Sequence, residues 1–150
     1  MLKSLFTILF CSVLVFSCQK NDDLDMQNRN PYIPNAFFSI DIQTGLSAEY
    51  PNLATPSGHA IINGYNIGHN GIVLFNTGTG YLAWELSDPN HQISTCSTLT
   101  IEGVIATCSC DDNNSYFISN GLPLSDTSGQ YTLIPYFVEV NGSVIRVYNN

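Results

Sequence analysis

Trp84-Glu85-Leu86-Ser87-Asp88-Pro89-Asn90, then Cys96, then Val104-Ile105-Ala106-Thr107-Cys108-Ser109-Cys110-Asp111 is the stretch that decides the fold. Tyr81-Leu82-Ala83-Trp84-Glu85-Leu86 leads into it, and Gly71-Ile72-Val73-Leu74-Phe75 lies before that. Asn76-Thr77-Gly78-Thr79-Gly80 separates the two runs, a hairpin-type loop between strand-forming segments. Thr98 to Glu102 and Val104 to Cys108 flank Gly103 in the same way. Downstream, Tyr116-Phe117-Ile118 stops at Asn120-Gly121. Leu133 to Val140 and Ser143 to Tyr148 then flank Asn141-Gly142, the strongest hairpin signal in the chain. Upstream, Phe37-Phe38-Ser39-Ile40-Asp41-Ile42 ends at Thr44-Gly45. No window of a dozen residues in this part carries an apolar stripe at helical spacing. Short strands with frequent Gly and Asn turns predict an all-β sandwich or small barrel over residues 35–150. No repeat and no second domain is visible.

Composition bounds the function. The chain has 150 residues, of which 44% are hydrophobic and 11% charged. That is enough apolar material for one core and too little charge for a disordered tail. Twelve acidic residues against four basic ones give a net charge of −8. Four scattered cations cannot build a basic face, so nucleic acid is excluded as a partner.

The amino terminus reads as an address. Lys3 precedes an apolar run from Leu5 to Phe16, long enough for a signal h-region and too short to cross a bilayer as an anchor. The run ends in Val15-Phe16-Ser17-Cys18, which resembles the lipobox of bacterial lipoproteins. That likeness makes residues 1–17 a lipoprotein signal peptide and Cys18 the acylated residue. Gln19-Lys20-Asn21-Asp22-Asp23-Leu24-Asp25 is polar and acidic directly after it. It resembles the export signal that carries some lipoproteins to the outer face of the outer membrane. Residues 18–34, with Pro31 and Pro34, are expected to be the acylated cysteine and a flexible tether.

The order of residues from Trp84 onward resembles the Rieske ferredoxin family. Ser115-Tyr116-Phe117, Gly121, Leu122-Pro123-Leu124, Leu133, Tyr136, Val138 and Ile145-Arg146-Val147 continue the likeness. It implies a small β-barrel or sandwich with an inserted cluster-type subdomain. In that family a Cys-x-His loop and a Cys-x-x-His loop hold a [2Fe–2S] cluster. The first pair of ligand positions falls on Asp88 and Asn90, and the second on Cys108 and Asp111. Only Cys108 keeps its residue type. An Asp carboxylate is a hard donor and an Asn amide a poor one, so neither replaces a thiolate or an imidazole. His91 stands one residue past the expected place, where a local slip presents one imidazole. The second loop, Asp111-Asp112-Asn113-Asn114, has none. The expectation is therefore a degenerate domain without a cofactor or metal. The alternative is a [2Fe–2S] or non-standard metal electron carrier.

With Cys11 lost in the signal and Cys18 acylated, Cys96, Cys108 and Cys110 remain. The resemblance implies a bridge between the two loops, with Cys110 in the family's second-cysteine place and Cys96 as partner. Cys96 lies later than the usual partner, so Cys96–Cys108 or three free thiols stay open. Other candidates are weaker. His59 and His69 sit in segments that read as loops, Glu85 and Asp88 are spaced by chance, and the Asp111–Asn114 run lacks the pattern of an EF-hand. The sequence thus predicts a non-enzymatic, surface-exposed outer-membrane lipoprotein. Its domain serves as a binding or structural module for a protein or ligand partner that the sequence does not name.

Overall fold

The computed structural model describes residues 30–44 and 49–150. The expected signal peptide (residues 1–17), the expected acylation site Cys18 and the acidic stretch after it lie outside the described residues. Nine strands follow in order among the described residues: β1 Phe38–Gln43, β2 His59–Ile62, β3 Ile72–Asn76, β4 Tyr81–Glu85, β5 Leu99–Glu102, β6 Ile105–Cys108, β7 Ser115–Phe117, β8 Pro135–Asn141 and β9 Val144–Asn149. A single 3-10 turn, Pro51–Ala54, is the only helical element among the described residues. None of them forms a helix long and apolar enough to cross a membrane. The class is all-β, as the sequence predicts.

Six strands form one antiparallel sheet in the order β1-β9-β8-β4-β3-β2, and three form a second in the order β5-β6-β7. The second sheet is inserted between β4 and β8, which pair with each other through Ala83–Tyr136 and Trp84–Pro135. Tight turns set the registers. Asn141-Gly142 closes β8 on β9, with Gly142 at φ 60°, and Gly103 does the same for β5 and β6 at φ 61°. A Cβ at either position would meet the left-handed penalty that glycine escapes.

The strand β3 explains why one domain carries two sheets. Ile72, Val73, Leu74 and Phe75 are all buried. Side chains alternate across a strand, so Ile72 and Leu74 enter one core with Ile62, Ala83, Tyr136, Ile145 and Val147. Val73 and Phe75 enter a second core with Trp84, Leu86, Leu99, Ala106, Tyr116, Ile118 and Leu133. The first lies on one face of the large sheet, and the second joins its other face to the inserted sheet. Trp84 is the main anchor there. Its indole Nε1 donates to the Ile118 carbonyl at 2.7 Å, and its ring lies so close to Gly121 that a Cβ would stand 2.8 Å away.

Two sequence expectations need correction. His59 opens β2, which pairs with β3 from His59–Phe75 to Ile62–Ile72, so it is not in a loop. Residues 30–34, expected as tether, pack on the domain. Ile33 is buried, Asn30 Nδ2 donates to the Pro89 carbonyl at 2.6 Å, and Tyr32 meets Tyr131 edge-to-face. His69 does lie in a loop, where its Nε2 donates to the Pro34 carbonyl.

Candidate functional site

Two loops meet at the far end of the inserted sheet: residues 86–98, between β4 and β5, and residues 109–114, between β6 and β7. Asp88 organises the first. Its carboxylate Oδ1 accepts the Asn90 amide at 2.9 Å, an Asx turn that folds the chain back on itself. The same oxygen accepts the Tyr116 hydroxyl at 2.6 Å, and Oδ2 accepts Asn114 Nδ2 at 3.1 Å. Asp88 is fully buried. A buried carboxylate is tolerable only where such donors replace water. Burial first, and Asp88 second, push the Tyr116 phenol well above its ordinary range.

Asn90 completes this network. Its Nδ2 donates to the Tyr116 hydroxyl oxygen at 2.8 Å and to the Tyr131 carbonyl at 2.9 Å, while its Oδ1 accepts the Tyr131 amide at 3.0 Å. Gly129 makes room for it, since a Cβ there would stand 2.2 Å from Asn90 Oδ1. The second loop is tied in by Asn114, whose Oδ1 accepts both the amide and the hydroxyl of Ser128.

Covalent chemistry joins the two loops. Cys96 and Cys110 form a disulfide with Cα atoms 4.9 Å apart. Beside it, the Ser109 amide donates to the Cys96 carbonyl at 3.1 Å. Cys108 is the free thiol among the described residues and is 1% exposed. Burial pushes its thiol up to about 12. The Cys110 amide, which donates to Cys108 Sγ at 3.4 Å, pulls the other way.

The four expected ligand positions do not converge. Asp88 and Cys108 face each other, but Asn90 turns toward Tyr116 and Tyr131, and Asp111 is exposed. The residue after each takes its place. His91 Nε2 and Asp112 Oδ2 pair at 2.7 Å, and the ligand atoms of Asp88, His91, Cys108 and Asp112 all lie within 4.8 Å of one another. Burial raises the Asp112 carboxyl, but hydrogen bonds from His91 and Ser128 outweigh it and hold the group below its ordinary range. Asp112 could not be told from Asp111 by spacing, because neighbouring acids in a loop are equivalent until the backbone is placed.

These donors do not fit a [2Fe–2S] cluster of the Rieske type, which takes two thiolates on one iron and two imidazoles on the other. One free thiol and one imidazole are present. Cys110 has spent its sulfur in the bridge, and both donor groups of Asn90 are taken by tyrosines. Glu85, also fully buried, is consumed by backbone and hydroxyl donors. A separate cavity of about 290 Å³, lined by Ile33, Tyr131, Leu133, Tyr136 and Phe137 among others, has no carboxylate, histidine or cysteine on its wall.

No family model matches the chain, and no curated protein matches it. Among solved structures, a chain of the complex of reduced oxygenase and oxidized ferredoxin in carbazole 1,9a-dioxygenase is similar. It is 18% identical, with 76% of this chain and 94% of that chain covered and a TM-score of 0.47.

Proposed function

We propose that this protein is an outer-membrane lipoprotein, anchored through Cys18 and facing the cell exterior. Its Rieske-like domain carries no [2Fe–2S] cluster and acts as a non-enzymatic binding or structural module. The observation that carries this reading is the Asp88 network. A buried carboxylate, two asparagines and a tyrosine hold the loops by hydrogen bonds, and the Cys96–Cys110 bridge adds a covalent tie. Loops secured in this way need no cluster to order them.

Visible absorption, with iron and acid-labile sulfide analysis of the purified chain, tests the first part. A colourless protein is expected. Iron and sulfide in equal, near-stoichiometric amounts would sink the cluster-free reading and favour electron transfer. For the address, Cys18→Ala should release the protein from the membrane or leave its precursor uncut. Replacing Lys20, Asp22 and Asp23 with Ala should keep it lipidated but shield it from protease added outside. Equal protease sensitivity would remove the case for surface export.

A further inference from the structure

We propose that Asp88, His91, Cys108 and Asp112 form a four-ligand site for one divalent cation of the zinc class, clamping the two loops beside the disulfide. The donors are of three chemical types and come from two loops and the adjoining end of β6, which approach only in the folded chain. One thiolate, one imidazole and two carboxylates are the mixed set that a borderline ion such as Zn²⁺ accepts in tetrahedral geometry. A calcium-type ion is disfavoured, because it takes about 6–8 oxygens and only two carboxylates converge here.

The distances suit a single ion. Bonds of about 2.0–2.3 Å place the ligand atoms of a tetrahedral site about 3.3–3.8 Å apart. The four atoms stand within 4.8 Å of one another, so side-chain adjustments of about an ångström close the site. His91 and Asp112, now sharing a hydrogen bond at 2.7 Å, would separate slightly as the cation takes the place between them. On binding, Cys108 releases its thiol proton to water and its sulfur bonds to the metal.

The surroundings already orient three of the ligands, as outer-shell partners do in metal sites. Tyr116 and Asn114 fix Asp88, Ser128 Oγ donates to Asp112 at 3.0 Å, and the Cys110 amide donates to Cys108 Sγ. The His91 amide donates to the Asp88 carbonyl at 3.2 Å, closing the turn that carries both ligands. The site needs no sulfide and no second iron, so it stands or falls apart from the cluster-free reading.

The test uses the full chain in detergent, stripped of metal by a chelator with the disulfide intact, and titrated with Co²⁺. One equivalent should give a near-ultraviolet thiolate-to-cobalt band and visible bands of tetrahedral cobalt, both bleached by Zn²⁺. Cys108→Ala should abolish the near-ultraviolet band. His91→Gln and Asp112→Asn lie at the partly exposed edge and leave the core intact. Each should weaken binding at least about tenfold, while Asp111→Asn should leave it unchanged. Zn²⁺ at about 100 times its dissociation constant should raise the melting temperature by about 5 °C or more. A featureless cobalt titration, a band that survives Cys108→Ala, or equal losses from Asp111→Asn and Asp112→Asn would each overturn the site. Iron with sulfide in the chain as isolated would instead overturn the reading under Proposed function.

Discussion

Glu85 and Asp88 lie three residues apart, both fully buried, and each accepts a tyrosine hydroxyl at 2.6 Å. They serve different halves of the molecule. Glu85 ends β4 inside the six-stranded sheet, where it gathers the amides of His69, Asn70 and Ser87, the Ser87 hydroxyl and Tyr136. Its donors are mostly backbone groups of nearby turns, and an apolar core beside it supplies the main stability. Asp88 sits in the inserted half and collects Asn90, Tyr116 and Asn114, two of them side chains more than two dozen residues away in sequence. There the strands are three or four residues long. Such short strands bury little and pair weakly by themselves. A disulfide and a buried polar network make up the difference, so the two halves should fail in different ways.

The largest effect is expected from Asp88→Ala. It leaves the Tyr116 hydroxyl, the Asn114 amide and the Asn90 N–H without their acceptor, at a cost of about 3–5 kcal/mol. Chemical denaturation measures the loss. Hydrogen exchange should show β5–β7 opening before β8 and β9. Simultaneous opening of both sheets would mean that the halves are one cooperative unit.

Next comes the bridge. Cys96 and Cys110 are separated by 14 positions. A loop of that size constrains the unfolded chain by about 3 kcal/mol, on the order of 10 °C in melting temperature. Cys96→Ala and Cys110→Ala should cost similar amounts, and the double variant little more than either. Mass spectrometry after alkylation of the unfolded, unreduced protein should find Cys108 as the modified thiol of the domain.

The two tyrosines sharpen the comparison. Tyr116→Phe and Tyr136→Phe should each cost about 1–3 kcal/mol by leaving part of a buried carboxylate unsatisfied. Burial, followed by the adjacent carboxylate, raises both phenols above their ordinary range. A raised folded-state pKa contributes stability that is complete below the ordinary tyrosine range and is lost as pH rises through it. Ultraviolet titration should therefore show these two phenols ionising only as the protein unfolds in alkali. The Phe variants should each flatten that alkaline limb.

The smallest effect belongs to Asp41 and Arg146, an exposed pair across β1 and β9 at 2.8 Å. The Arg146 hydrogen bond holds the Asp41 carboxyl below its ordinary value. Its contribution is present above the ordinary carboxylate range and is lost as pH falls through the folded value. Arg146→Ala should change the denaturation midpoint less than any substitution above, and added salt should erase even that.

Strand-forming runs and turn residues made most of the fold legible, because alternation and Asn-Gly or lone Gly turns are local signals. The strand β2 was not legible. His59-Ala60-Ile61-Ile62 is too short to show alternation and becomes a strand only by pairing with β3 at the sheet edge. The packed segment Asn30–Pro34 escaped for a similar reason. Its prolines and asparagines read as linker, yet Asn30 and Ile33 find partners far along the chain.

By itself, the sequence determined the β class, the turn-bounded strand runs, and the absence of thiolate and imidazole side chains at positions 88, 90 and 111. These follow from residue type and spacing, which folding cannot alter. The tertiary structure decided which neighbours face inward. Asn90 is drawn away by Tyr131, 41 residues distant, and His91 is left beside Cys108 and Asp112. A one-residue change of direction in a loop depends on contacts from other segments. No local pattern encodes it, and it is what gathers Asp88, His91, Cys108 and Asp112 around one point.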